Sequence, residues 1–295
     1  MGPRMWSSTA SSSPLRIRTP PRSSPPRSSS TSTLERRESS TIHVPPLTTP
    51  VAAQDVVLEA TEKDFDALSR LITHSTIIKN EQPDDRTFDE VIYKPWGNEA
   101  RVYVDNFYDL WLLRISEGER TSLHAHARKM TQLLCLSGEG VVTSLNGEHP
   151  ISTGSIVRIA AGAFHSTRAV NGPLYLIEVE TPRNKLDLVR LEDAYSRDAT
   201  HYEVETGVPA ASPLKRLPHL PGASIRRTSP GGAFNFSIRT GMDIFYTPDS
   251  SELFYIPLGI RAFLTQSIPV LRPQDLHQHR PATAETYISV RPSTN

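Results

Sequence analysis

Two histidines one residue apart, His124 and His126, open the part of the chain whose side chains can do chemistry. On a strand, residues i and i+2 share a face, so both imidazoles point the same way. A third, His165, follows the run Gly154-Ser-Ile-Val-Arg-Ile159 and a turn carried by Gly162, so a closed β-barrel brings the three rings together. Neutral imidazole suits borderline divalent metals, and the set is expected to hold one divalent ion: Zn, Fe, Mn or Ni. His277 and His279 repeat the spacing between Pro273 and Pro281, but no Gly-bounded strand follows, and an exposed loop is expected there.

Chemistry at a metal also needs groups that move protons or hold charge. Glu178 and Glu180 alternate on a β-type run, so both face the same way. Facing inward they are candidate bases; facing outward they are rim carboxylates. Arg128 and Lys129 follow the histidine pair directly, where a loop at the barrel mouth would meet a phosphate or carboxylate, or stand solvated.

Elements able to position these groups are legible along the chain. Ala100 to Val104, Tyr108 to Ile115, Gln132 to Leu136, Val141 to Leu145, Ile156 to Ile159 and Leu174 to Val179 are short β-rich runs. Turn residues at Glu117-Gly118, Ser137-Gly138, Asn146-Gly147 and Thr153-Gly154 separate them, and Asn-Gly between two such runs predicts a hairpin. Regular short strands of this kind give an all-β jelly-roll barrel over residues 90–200. Cys135 sits in the apolar run Leu133-Leu-Cys-Leu136 and is expected in the core.

Upstream, Leu58, Phe65, Leu68, Leu71 and Ile72 with Thr61 as a cap predict a short amphipathic helix within a lead-in over 56–82, packed outside the barrel. Lys94-Pro-Trp-Gly97 fixes where the chain joins the barrel, because Pro removes a donor and Trp needs a large buried site. Downstream, Ala233 to Arg239, Met242 to Tyr246, Leu253 to Ile256 and Tyr287 to Val290 predict a small β-rich region over 205–295.

Composition narrows the function classes. Lys plus Arg and Asp plus Glu are 32 each, so no polyanion is attracted and nucleic-acid binding is not the expected role. No apolar run reaches the roughly 20 residues needed to cross a bilayer, so no membrane partner is expected. Residues 1–55 form a Ser/Pro/Arg-rich tail expected to be disordered, and its first 34 residues lack Asp and Glu altogether. That stretch reads either as a mitochondrial or plastid transit peptide or as a plain tail on a cytoplasmic protein.

Taken as a group, these positions resemble a known family. Gly118, five residues, His124-x-His126 and Gly138, then Gly154, Gly162 and His165, resemble the two-part cupin signature. Thr131 stands where that signature has Glu, Ala160 where it has Pro, and Ala169 where it has Asn. Lys94-Pro-Trp-Gly97, Ser122-Leu123, Ser137-Gly138, Glu178-Val179 and Asp187-Leu-Val-Arg190-Leu-Glu192-Asp193-Ala-Tyr195-Ser-Arg197 are similar to the cupin domain of type II mannose-6-phosphate isomerases. The resemblance implies a small carbohydrate ligand such as a sugar phosphate or nucleotide sugar, isomerase or epimerase chemistry, and a homodimer. The Gln, His, Glu, His ligand set of those isomerases falls here on His124, His126, Thr131 and His165. The Lys that they carry on the strand before the metal loop has only Arg114 nearby in this chain. In the same ending motif, Arg190, Asp193, Tyr195 and Arg197 are expected to pin the chain by ion pairs. Three histidines without Glu also suit an Fe(II)-dependent dioxygenase, and loss of the Glu suits a non-catalytic sugar-binding cupin.

Overall fold

A computed structural model describes residues 52–74, 91–184, 187–192, 226–260, 264 and 268–294. The tail over 1–51, the segment 75–90 and the end of the last signature stretch, with Asp193, Tyr195 and Arg197, lie outside the described residues.

The chain enters through β1 (Asp55–Leu58) and α1 (Glu62–His74), followed by the barrel strands β2 (Ile92–Lys94), β3 (Gly97–Val104), β4 (Asp109–Ile115) and β5 (Leu123–Ala125). Next come β6 (Met130–Ser144), β7 (Gly147–Ser152), β8 (Ile156–Ile159), β9 (His165–Thr181) and β10 (Val189–Glu192). These strands form one sheet in the order β1-β8-β6-β9-β4-β3-β2, with β7 paired to β6 and β5 bridging β9 and β10. The strands form one jelly-roll barrel, the all-β fold expected over this stretch.

Alternation decides which side chains fill the barrel. Trp111, Leu113 and Ile115 of β4, Leu133 and Cys135 of β6, and Leu174 and Leu176 of β9 share the interior cluster with Trp96 and Ile151. The intervening Leu110, Leu112, Leu134, Leu136, Ile177 and Val179 face the other way, yet they are also buried. A second sheet covers them: β11 (Arg226–Thr228), β12 (Phe234–Thr240), β13 (Phe254–Pro257) and β14 (Thr286–Pro292), in the order β11-β12-β14-β13. Phe234, Phe236, Ile238, Phe254, Ile256, Ile288 and Val290 of this sheet meet the barrel's outer residues in one cluster. Hydrogen bonds from Tyr108 to the Gly259 carbonyl (2.7 Å) and from Gln132 to the Ile268 carbonyl (2.9 Å) tie the layers together. The C-terminal region is thus an outer layer on the barrel wall.

Several sequence expectations change in detail. Val56 and Leu58 belong to a strand parallel to β8, with alternating burial, while the helix begins after Thr61, the expected cap. Ser137-Gly138 is a bulge inside the continuous β6, where the register against β9 shifts and Gly138 takes φ +96°, instead of a turn between strands. Met242 to Tyr246 lies in a second helix, α2 (Gly241–Tyr246), because Thr240 and Asp243 form a reciprocal capping box that outweighs the β-type composition. Asn146 does lie in a hairpin turn, with Ser144 paired to Gly147. Cys135 is buried, and His277 and His279 are exposed.

Candidate metal centre

Register brings the histidines together. His124 on β5 pairs directly with His165 on β9, and His126 lies two residues further along on the same side of the chain. Ring centroids stand 4.4 Å apart for His124 and His165, 5.0 Å for His124 and His126, and 5.4 Å for His126 and His165. One ring nitrogen from each lies within 4.8 Å of the others. All three side chains are buried.

Each ring is oriented by backbone. Nδ1 of His124 meets the Ser122 carbonyl at 2.8 Å, Nδ1 of His126 the Asp187 carbonyl at 2.6 Å, and Nδ1 of His165 the Ala163 carbonyl at 3.1 Å. A carbonyl only accepts, so each Nδ1 carries the proton and each Nε2 keeps a lone pair. Nε2 of His126 and of His165 is buried without a hydrogen-bond partner. Buried polar atoms are rarely left so, and converging unpartnered imidazole nitrogens fit a divalent cation.

Supporting residues explain the rigidity. Asp187 is fully buried, and its carboxylate accepts the backbone N–H groups of Ala127, Arg128 and Lys129 at 3.1, 2.8 and 3.1 Å. The turn after His126 is therefore held by the same residue that orients His126. Asp64, in the first turn of α1, accepts from Thr61 and also from the Phe164 backbone N–H at 2.8 Å. The helix thereby clamps the turn that delivers His165, and Phe164 packs against Leu68 and Ala125. Gly162 in that turn has φ +87°, which favours glycine, and donates its N–H to the His126 carbonyl at 2.7 Å.

Burial keeps the imidazoles neutral. Desolvation pushes His124 and His126 well below the ordinary histidine value, and the ring–ring and Lys129 charges push the same way; His165 is brought down to about 4. In the metal-free protein this has a definite sign. Below pH about 6.5 the unfolded chain takes up protons that the folded site refuses, so stability is greatest above that pH and is lost toward pH about 4. His165 alone accounts for a loss on the order of 3 kcal/mol. Denaturant unfolding at several pH values measures it, and a flat profile across this window would contradict burial of the rings.

The other expected site residues divide. Glu178 and Glu180 face inward and line the pocket, Glu180 with Oε1 at 4.0 Å from His126 Nε2. Lys129 lies in the loop between β5 and β6, as expected, but its side chain turns inward: the ammonium is buried and donates to Glu180 Oε1 at 2.5 Å. Arg128 points the other way and is exposed, contributing only its backbone N–H to the site. Thr131 is fully buried on β6, directly across from Glu180.

Two lining residues escape a sequence reading for this role. Lys94 reaches the pocket because the Pro95-Trp96 turn folds β2 back on β3, setting its Nζ 3.9 Å from Glu99 Oε1. Gly97 must close that turn: a Cβ there would stand 2.0 Å from the Arg114 carbonyl oxygen. Arg190, half-buried, is the β10 register partner of His124 and lines the same pocket. Where β4 brings no lysine, the pocket is lined by two from elsewhere, Lys94 on β2 and Lys129 in the loop before β6.

Fold and site together define a cupin with a buried histidine cluster suited to a metal. Residues 80–193, under half of the chain, match the family model described as mannose-6-phosphate isomerase C-terminal. Among solved structures, a Bacillus halodurans protein is 24% identical, with a TM-score of 0.26, over 27% of this chain and 65% of its own. A cupin-superfamily sugar phosphate isomerase from Silicibacter pomeroyi is 18% identical, with a TM-score of 0.28, over 35% and 66%. Lactobacillus farciminis oxalate decarboxylase is 18% identical, with a TM-score of 0.32, over 35% and 33%. The chain spans under two thirds of the first of these. No curated protein matches.

Proposed function

We propose that the chain is a metal-dependent isomerase that interconverts the aldose and ketose forms of a sugar phosphate or a closely related carbohydrate. The observation that carries this reading is the convergence of three neutral, backbone-oriented imidazoles beside two inward carboxylates. A divalent ion held by His124, His126 and His165 would supply Lewis acidity toward vicinal carbonyl and hydroxyl oxygens.

The chain's own residues supply the rest. Aldose–ketose conversion moves a proton between neighbouring carbons, which needs a carboxylate within reach, and Glu178 and Glu180 stand on the correct wall. Lys129 holds Glu180 in place. Arg190 is the guanidinium in the pocket lining that an anionic group on the substrate would meet. The cavity beside the histidines is small, about 60 Å³, room for an ion and a few waters. The family match over residues 80–193 supports a carbohydrate in preference to other ligands.

The experiment is metal analysis of the purified protein, followed by assay of loaded and chelated protein on hexose phosphates, with oxygen consumption followed in parallel. Metal-dependent interconversion is the expected result. Oxygen uptake would replace the reading with a dioxygenase, and chelator-insensitive sugar binding without turnover would replace it with a binding protein.

A further inference from the structure

His165 is the first residue of β9, so the turn before it, more than the strand, aims its ring. Nδ1 of His165 donates to the Ala163 carbonyl at 3.1 Å, and that oxygen shares a peptide unit with the Phe164 N–H, which donates to Oδ1 of Asp64 at 2.8 Å. Carboxylate, peptide and imidazole thus stand in series. At the far end is Nε2 of His165, buried and without a hydrogen-bond partner. In such a series each bond polarises the next: a negative charge at the N–H makes the carbonyl a stronger acceptor, and a stronger acceptor at Nδ1 makes Nε2 a better donor to a cation.

Asp64 is held for this contact. It is 2% exposed, and its other oxygen accepts from the Thr61 N–H at 2.9 Å and the Thr61 hydroxyl at 2.6 Å, which fixes the plane of the carboxylate. A helix cap by itself requires no partner 100 residues away. The lead-in also grips the rest of the turn. The Leu58 carbonyl accepts from the Ala160 N–H at 2.9 Å, and Leu68 of α1 packs over Gly162, where a Cβ would lie 3.4 Å from its Cδ1.

We infer that Asp64 is a positioning residue of the metal centre, acting on His165 through the Ala163–Phe164 peptide. This rests on the metal-dependent reading above and extends the centre into α1, outside the residues 80–193 that match the family model.

The test reads the ring and the metal, not turnover. Cobalt(II) affinity is measured by chelator competition, and the Nδ1 proton of His165 is followed by NMR in the metal-free protein. Asp64→Ala is expected to weaken cobalt binding about 10–100-fold, the usual cost of losing the group behind a ligating histidine, and to move that proton upfield with faster exchange. Asp64→Asn keeps an oxygen for the Phe164 N–H and is expected to recover part of the affinity. Thr61→Ala weakens the same helix cap without removing the Phe164 bond, so it lowers Tm but leaves cobalt affinity and the proton resonance where they were. Should Asp64→Ala fail to fold, Asp64→Asn set against Thr61→Ala makes the same comparison. Affinity and resonance unchanged in the Asp64 variants, or altered equally in Thr61→Ala, would overturn the assignment and reduce Asp64 to a helix cap. No cobalt on the unaltered protein would overturn the metal reading instead, and the proton resonance then decides the coupling by itself.

Discussion

His124→Ala/His126→Ala protein is expected to carry no metal while the barrel stays folded. Two of the three convergent Nε2 atoms disappear, and His165 alone cannot hold an ion against water. The fold survives because the barrel core lies elsewhere, in Trp96, Trp111, Leu113, Leu133 and Leu176. Metal that binds only the folded state stabilises by about 4 kcal/mol at a thousand times its dissociation constant, which corresponds to roughly 10 °C in Tm for a domain of this size. The unaltered protein should show that shift on metal addition and lose it on chelation; the variant should respond to neither. Metal content per chain and circular dichroism decide the matter, and a variant that still purifies with one ion per chain would remove the histidine cluster from consideration.

Lys129→Met is expected to cost about 3–5 kcal/mol of stability in metal-free protein, among the largest effects of any single change in the barrel. Its ammonium is 2.5 Å from Glu180, and both side chains are about 1% exposed, so removing only the cation takes away a close counter-charge from a carboxylate held away from water. Lys129→Met/Glu180→Gln should regain most of that loss, since the penalty belongs to the unpaired charge rather than to the lost contact. Urea unfolding of the two variants and the parent gives the comparison. A single-variant cost below about 1 kcal/mol, typical of exposed ion pairs, would mean that the pair is solvated.

How much of this was legible depended on where the information lay. His124, His126 and His165 could be read because strand alternation and glycine spacing are local, and both operate within a few residues. Lys94 and Arg190 could not: the tight β2–β3 hairpin that carries Lys94 does not mark which side faces the pocket, and Arg190 enters through pairing of β10 to β5, strands far apart in the chain. Lys129 reads as a loop residue by its neighbours, and only the Asp187 clamp on residues 127–129 shows why its side chain turns inward. The helix at Met242–Tyr246 did carry a local signal, Thr240 followed three residues later by Asp243, which its hydrophobic composition masked. Glu178 and Glu180 were correctly put on one face, but nothing in the sequence says which face is the interior; that is set by Leu110, Leu112 and Val179 being claimed by the second sheet.

That second sheet makes the boundary of the matched family stretch a poor place to cut. A fragment ending near residue 193 would turn Leu110, Leu112, Leu134, Leu136, Ile177 and Val179 out to solvent as one contiguous oily wall. Such a truncated barrel would precipitate or self-associate, so any expression strategy for isolating the histidine centre has to carry the chain through β14.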